Sequence, residues 1–285
     1  MHALFEWLVH EGALYHRSRK LHESTVTLDS HCDTPMFFPD SQDDVNHMFT
    51  TRTDRVLVDL PKMTDGRLDA SIMVAYIPQG ERSAQGYREA FALAQKKLDQ
   101  IEALTRAYPH LLGLASSPDD LLRFKAQGIK AIMRGIENGY AIGRDLSLLS
   151  HFRQMGVVYM TLCHNGDNDI CDSARGHAEH GGLSAFGQEV VREMNALGMM
   201  IDMSHAAERS FYDALALSQA PIVCSHSSSR ALCAHPRNLT DDQMKALAAQ
   251  GGVAQVTLYH GFLRHEGEAT VLDALDHLHH MVQVM

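Results

Sequence analysis

Two short apolar runs that end in the same dipeptide constrain this chain more than any other feature. The runs, MMIDM and PIVC, are followed by Ser204-His205 and Ser225-His226. Apolar residues recur at roughly helical spacing between them, so the segment predicts a strand, a helix and a second strand. Because the parallel strands of such a unit point the same way, we expect both histidines at one C-terminal sheet edge. Two imidazoles at that edge are candidate metal ligands.

The same alternation of strand and helix extends along most of the chain. Seven predicted strands that alternate with helices indicate an α/β fold, and a TIM-type (β/α) barrel rather than a doubly wound open sheet. The 285 residues suit one such barrel, which typically needs about 250. We expect a helical extension over 1–25 and the barrel over 26–285. The predicted strands lie within 26–35, 70–77, 129–139, 157–169, 199–203, 221–224 and 251–259.

Polar side chains lie at the C-terminal ends of these predicted strands. Barrels of this kind place their chemistry at that face, and histidines with purely structural roles would show no such bias. Each residue taken alone also fits a polar turn after a strand, which is the plainer interpretation. The strand-end residues are His31, Asp33, Glu137, His164, His205 and His226.

There are more of these residues than the three protein ligands that one catalytic zinc usually has, so two zinc ions fit the set better. His31 and Asp33 are two residues apart in a strand and can reach one ion together. His205 and His226 would hold the second ion, and Glu137 would bridge the two. A water held between the ions would be a hydroxide near neutral pH, which predicts hydrolysis at a carbonyl or phosphoryl centre.

Two further residues are candidates for contact with a substrate. His164 remains once the metal ligands are assigned, so we expect it to contact the substrate or its oxyanion. Arg237 follows the sixth predicted strand and could pair with a substrate carboxylate through two hydrogen bonds. By residue type alone, a surface arginine is the commoner interpretation of Arg237.

Composition excludes several classes of partner and compartment. The net charge of −10 and the pI near 6.0 argue against nucleic-acid and anionic-membrane partners, which select basic surfaces. The five cysteines are odd in number and lack C-x-x-C spacing, so we expect reduced thiols in a cytoplasmic protein. No uninterrupted apolar run approaches the ~18 residues of a membrane span, and the N-terminal stretch lacks the apolar core of a signal peptide.

The residues above also carry a resemblance to a known family. The chain resembles the membrane dipeptidase (renal dipeptidase) family of zinc peptidases over nearly all of 26–285, and looks like a soluble bacterial-type member. The matching motifs are DSHCDTP, DLPKM, GIENG, YMTLCHN, GLSAFGQEVVREMNALGMMIDMSH and APIVCSHSSSRALCAHPRNLTDD. The last two are long and highly specific.

This resemblance implies a metal-dependent hydrolase barrel with two zinc ions and the ligand assignment given above. It also implies that His164 contacts the scissile carbonyl and that Arg237 binds the C-terminal carboxylate of a dipeptide, with Glu137 and His164 as the catalytic residues. Family members hydrolyse dipeptides, often with a D-residue on the C-terminal side, and homodimers are common among them.

One departure from the family pattern affects the expected activity. The family continues into an eighth strand that ends in an aspartate thought to protonate the leaving amine, whereas this sequence ends at Met285 with seven of eight strands. Loss of a general acid lowers rates by about 10²–10⁴-fold. We therefore expect either impaired folding and activity or a barrel closed by residues from elsewhere. The alternatives are a catalytically impaired metal-binding barrel and an amidohydrolase that acts on N-acyl amino acids or lactones.

Overall fold

The computed structural model describes residues 2–285, with side chains from residue 12 onward. In this part of the chain the strands are β1 (Leu28–Cys32), β2 (Ala70–Tyr76), β3 (Leu112–Leu114), β4 (Lys130–Glu137), β5 (Val157–Thr161), β6 (Met200–Asp202), β7 (Val223–Cys224) and β8 (Val253–Ala254). The helices are α1 (His2–Ser24), α2 (Gln42–Thr50), α3 (Leu60–Asp65), α4 (Ala84–Ala107), α5 (Pro118–Gln127), α6 (Ser147–Gln154), α7 (Ala185–Ala196), α8 (Glu208–Leu217), α9 (Asp241–Ala249), α10 (His260–Leu263) and α11 (Val271–Val284).

All pairings between these strands are parallel, as the sequence predicted. The continuous path runs β1-β2-β4-β5-β6-β7-β8, and the short β3 pairs with the first residues of β4 beside this path. β1 and β8 are therefore the edges of the sheet within the described residues. Seven strands on one path with helices between them form a half-barrel, which confirms the predicted α/β barrel class.

The helix boundaries follow from capping signals in the sequence. Ser117 caps α5 by accepting a hydrogen bond from the backbone N–H of Asp120, with Pro118 at the first helical position. Gly128 ends this helix with φ +71°, a backbone conformation that favours glycine.

β2, β4 and β5 are buried on both faces, and alternate residues form the interior of the half-barrel. On β2 and β4 this face carries Ile72, Val74, Ala131 and Met133, which pack in one cluster with Tyr159 of β5. In the strand period of two, the next interior positions of β4 are Gly135 and then Glu137. A Cβ at Gly135 would lie 3.0 Å from the Tyr159 ring. The glycine thus leaves space for that ring directly below Glu137.

The strand prediction is wrong in two places. β3 was not predicted, because a three-residue run is too short to show periodicity. The seventh predicted strand, 251–259, contains only the two-residue β8 and irregular chain, and α10 follows it. Its sequence, GGVAQVTLY, has the β-branched residues of a strand, but Leu258 and Tyr259 are exposed. The apolar sequence alone does not show whether a neighbouring strand or a core is available to cover this segment.

Two further properties concern the cysteines and the helices. Each of the five cysteines is a free thiol and is buried. Among residues 2–285, no helix is both long and apolar enough to cross a membrane.

Candidate metal centre

The ends of β1 and β4 bring the first group of predicted residues together. β1 has a register irregularity between Asp29 and Cys32, and a bulge of this kind changes the direction of the side chains within it. His31 Nε2 lies 3.5 Å from Asp33 Oδ1 and 3.5 Å from Glu137 Oε1. The Glu137 side chain is buried, whereas that of Asp33 is 50% exposed. The group therefore has one buried and one solvent-facing carboxylate.

The ends of β6 and β7 supply the second group. His205 Nε2 lies 2.9 Å from Glu137 Oε1 and 2.9 Å from His226 Nε2, which is itself 3.4 Å from Glu137 Oε1. His205 has φ +72°, a left-handed conformation that is uncommon for residues other than glycine and clusters at functional sites. The Glu137 carboxylate thus lies at the centre of all three imidazoles.

The second ring nitrogen of each histidine has a polar partner. His31 Nδ1 lies 2.8 Å from the Tyr159 hydroxyl, which donates its own proton to the Ser30 carbonyl. His205 Nδ1 lies 3.1 Å from the side-chain oxygen of Asn165, and His226 Nδ1 lies 2.8 Å from the Ser225 hydroxyl. Partners that accept a hydrogen bond from Nδ1–H leave Nε2 with its lone pair, the arrangement in which histidine binds metals.

This donor set fits a divalent metal ion. With Nδ1 protonated, the Nε2 lone pairs of His205 and His226 face each other and the Glu137 carboxylate, which is unfavourable without a cation between them. His31 Nε2 is buried and has no hydrogen-bond partner among the described residues. Three groups of side chains have ligand atoms within 4.8 Å of one another. They are His31, Asp33 and Glu137; Glu137, His164 and His205; and His31, Asp202 and His226.

The ionisation of the cluster reflects the same need for positive charge. Burial disfavours the His31 imidazolium, but the Glu137 carboxylate and then Asp33 raise the pKa of His31 to about 10. Burial lowers the pKa of His205 to about 3 and that of His226 well below its ordinary value. The pKa of Glu137 is lowered well below 4.5, because the opposing histidines outweigh its burial. Without a metal, one proton on His31 therefore balances the buried carboxylate.

His164 lies beside this cluster rather than at its centre. Its ring packs against the His205 ring at a centroid distance of 4.3 Å and against the edge of Tyr76 at 4.8 Å. Burial lowers the pKa of His164, so the imidazole is neutral near pH 7. The position suits a group that contacts a substrate, although the ring also lies within reach of a metal on Glu137 and His205.

Arg237 is buried next to the same histidines, at 3% exposure. Its Nη2 donates to the backbone oxygen of His226 at 3.3 Å, and its guanidinium lies 5.4 Å from the centre of the Phe262 ring. Its Nε and Nη1 are buried and have no hydrogen-bond partner within the described part of the chain. The alternative of a surface arginine is therefore wrong. Unused donors on a buried cation are suited to pairing with an anion.

Several residues of the site were not predicted. Tyr159, Asn165 and Ser225 bind the histidines at Nδ1, and nothing in a tyrosine or serine near a strand end marks such a role. Asp202 could have been recognised, because it is an acid within the apolar run MMIDM.

A parallel half-barrel with histidines and carboxylates clustered at its C-terminal mouth defines the class, a (β/α)-barrel protein with a candidate metal centre. Comparison with known proteins gives the family. Residues 15–285 match the profile of the membrane dipeptidase family (Peptidase family M19), and the chain belongs to that family.

Relatives and solved structures agree with this assignment. An uncharacterised dipeptidase of Schizosaccharomyces pombe is 35% identical over 237 residues, which cover 79% of this chain and 57% of the relative. Dipeptidase 3 of Mus musculus is 34% identical over 267 residues, 90% of this chain and 52% of that protein. The probable dipeptidase PvdM from Pseudomonas aeruginosa superposes with a TM-score of 0.80 at 30% identity, over 88% of this chain and 64% of that one. The chain thus spans just over half the length of these curated relatives.

Proposed function

We propose that this protein is a zinc-dependent dipeptidase that hydrolyses the peptide bond of dipeptides, including those with a D-residue on the C-terminal side. The observation that carries the proposal is the buried guanidinium of Arg237, whose free donors lie beside the histidine cluster. A carboxylate is the planar anion that matches such a fork. An exopeptidase that requires a free C-terminus needs a fixed cation next to its hydrolytic centre.

We propose that two zinc ions bind at the barrel mouth. His31 and Asp33 would hold one ion, His205 and His226 the other, with Glu137 shared between them. When bound, zinc would polarise the scissile carbonyl and lower the pKa of a water molecule. The neutral Nε2 atoms of His205 and His226 and the ionised Glu137 supply the donor types that zinc prefers.

The remaining roles belong to side chains that contact the substrate. Arg237 would bind the C-terminal carboxylate and so fix the distance from that group to the peptide bond. His164, neutral and half-buried, would donate a hydrogen bond to the scissile carbonyl oxygen as negative charge develops there. Glu137, buried among the three histidines, would keep the charge of the centre in balance.

We propose the organisation and the setting that the sequence predicts. Residues 1–25 would extend the catalytic barrel of 26–285. The buried free thiols support a reducing, cytoplasmic setting.

The test is hydrolysis of dipeptides by the purified chain with zinc or with a chelator. L-Ala-L-Ala and L-Ala-D-Ala serve as substrates, and N-acetyl-L-alanine tests the amidohydrolase alternative. We expect dipeptide cleavage that requires zinc and is abolished by Glu137→Gln. Glu189→Gln, an exposed acid on α7, is the matched control and should retain activity. Cleavage of N-acetyl-L-alanine alone, or no cleavage while zinc is bound, would contradict the dipeptidase proposal.

A further inference from the structure

Asp202, the last residue of β6, is a carboxylate with no exposed surface that lies beside the candidate metal centre. A ligand atom of Asp202 lies within 4.8 Å of those of His31 and His226. A buried carboxylate is costly unless its hydrogen-bonding capacity is used. The hydrogen bonds around Asp202 therefore show whether its carboxylate is available to bind a metal or is already used by donors of the protein.

Four hydrogen bonds from the protein converge on the Asp202 carboxylate. Oδ1 accepts from the backbone N–H groups of Ser204 and Ser225 at 3.1 and 2.9 Å. Oδ2 accepts from the hydroxyls of Thr161 and Ser225 at 2.6 and 2.7 Å. A carboxylate has about four acceptor positions, so these bonds use them. Asp202 is thus committed to holding the ends of β5, β6 and β7 together.

The bond from Ser225 fixes the direction of the hydroxyl proton. A serine hydroxyl has one proton, and the ionised carboxylate can only accept, so the proton points to Asp202. The Ser225 oxygen then accepts from His226 Nδ1, which lies 2.8 Å away. His226 must carry its proton on Nδ1, and its Nε2 faces Glu137 with a free lone pair.

We propose that Asp202 is a positioning residue that acts through Ser225 to fix the tautomer and the ring orientation of His226 for metal binding. Ser204 supports the same arrangement from the other side, since its hydroxyl accepts from the His226 backbone N–H at 3.1 Å. The inference rests on the proposed function, because that proposal makes His226 a metal ligand. It adds that three residues outside the ligand set, Asp202, Ser225 and Ser204, determine how His226 is presented.

The test is the Zn²⁺ affinity of purified variants, measured by competition with a chromophoric chelator. Loss of a residue that orients a metal-binding histidine typically weakens metal binding by about 10–100-fold. We expect this loss for Ser225→Ala, and recovery in Ser225→Thr, which keeps the hydroxyl. Asp202→Asn should show a similar loss. The double variant, Asp202→Asn with Ser225→Ala, should bind zinc no more weakly than the weaker-binding of the two single variants, because the two residues act in series.

Ser228→Ala is the matched control. Ser228 is a buried serine three residues further along, and its hydroxyl donates to the Thr257 carbonyl at 3.3 Å. Thermal melting of each metal-free variant separates a loss of fold from a loss of metal binding. Absorption of the Co²⁺-substituted proteins adds a spectroscopic readout, which should change in Ser225→Ala and stay unchanged in Ser228→Ala.

Three results would overturn the inference. Equal zinc affinity in Ser225→Ala and Ser228→Ala would show that the hydroxyl does not orient His226. A loss in Asp202→Asn that is far greater than in Ser225→Ala would identify Asp202 as a ligand itself. Wild-type protein that binds no zinc would refute the proposed function as well, whereas the first two results would leave that function standing.

Discussion

Replacement of Arg237 by alanine tests how the site selects its substrate. The guanidinium is buried and has two donors, Nε and Nη1, that are unpartnered within the described residues. In the proposed complex free N–H groups of the guanidinium form two hydrogen bonds with the C-terminal carboxylate of a dipeptide. Arg237→Ala removes both hydrogen bonds and leaves the substrate carboxylate in a buried position without a partner.

The geometry sets the size of the effect. A hydrogen bond to a charged group contributes about 1.5–3 kcal/mol, so two such bonds contribute about 3–6 kcal/mol. At roughly 1.4 kcal/mol for each factor of ten, kcat/KM for a dipeptide should fall by about 10²–10⁴-fold. Arg237→Lys keeps the charge but not the planar fork, so its loss should be intermediate.

The assay compares L-Ala-L-Ala with L-Ala-L-alaninamide, which has the same peptide bond and no free carboxylate. Arg237→Ala should slow cleavage of the first substrate and have little effect on the slow cleavage of the second. The control is Arg192→Ala, an exposed arginine on α7, which should behave like the wild type with both substrates. The melting temperature of Arg237→Ala should not fall, because the substrate-free protein carries the desolvated cation without full pairing.

An equal loss with both substrates would refute this account, since it would place Arg237 in the chemical step or in the structure of the mouth. Unchanged kcat/KM for the dipeptide would also refute it. A lower melting temperature would show that the guanidinium stabilises the fold.

Two further predictions concern the metal ligands. Glu137→Gln keeps the shape of the side chain but removes its charge. The zinc content per chain, measured by mass spectrometry of the purified protein, should therefore fall. An unchanged zinc content would count against Glu137 as a shared ligand. Acidification should destabilise the metal-free protein, because burial holds the pKa of His205 at about 3 and that of His226 well below 6.5. The unfolded chain protonates both histidines as the pH falls through 6.5, and therefore binds more protons than the fold. Below pH 6.5 stability should decline by up to about 1.4 kcal/mol per pH unit for each of these two histidines. Above pH 6.5 His31 offsets this loss, because its raised pKa keeps it protonated in the fold. Constant melting temperatures from pH 6.5 to 5.0 would contradict these pKa shifts.

The fold and the clustering of the candidate ligands could be predicted because they follow from local pattern. Apolar runs of strand length alternate with capped helices, which predicts the parallel barrel. His31, Glu137, His205 and His226 each come at the end of such a run, so the chirality and parallel order of βαβ units place them at one mouth. The structure brings these residues within a few ångströms of one another.

The residues that orient the histidines could not be predicted in the same way. The contact between Tyr159 and His31 joins β5 to β1 across the barrel interior, and it depends on the space left by Gly135. The Ser225–Asp202 bond depends on the register of two neighbouring strands. Burial of Arg237 depends on how the loop after β7 folds back over the mouth. Sequence periodicity does not specify such contacts, because they are set by packing between distant segments.

The most direct test of the central claim is anomalous diffraction at the zinc edge from crystals of the zinc-loaded protein. The account predicts two zinc peaks at the barrel mouth, one on each side of the Glu137 carboxylate. His31 and Asp33 should lie within bonding distance of one peak, and His205 and His226 within bonding distance of the other. A zinc peak bound elsewhere on the protein, or no peak beside Glu137, would contradict the account.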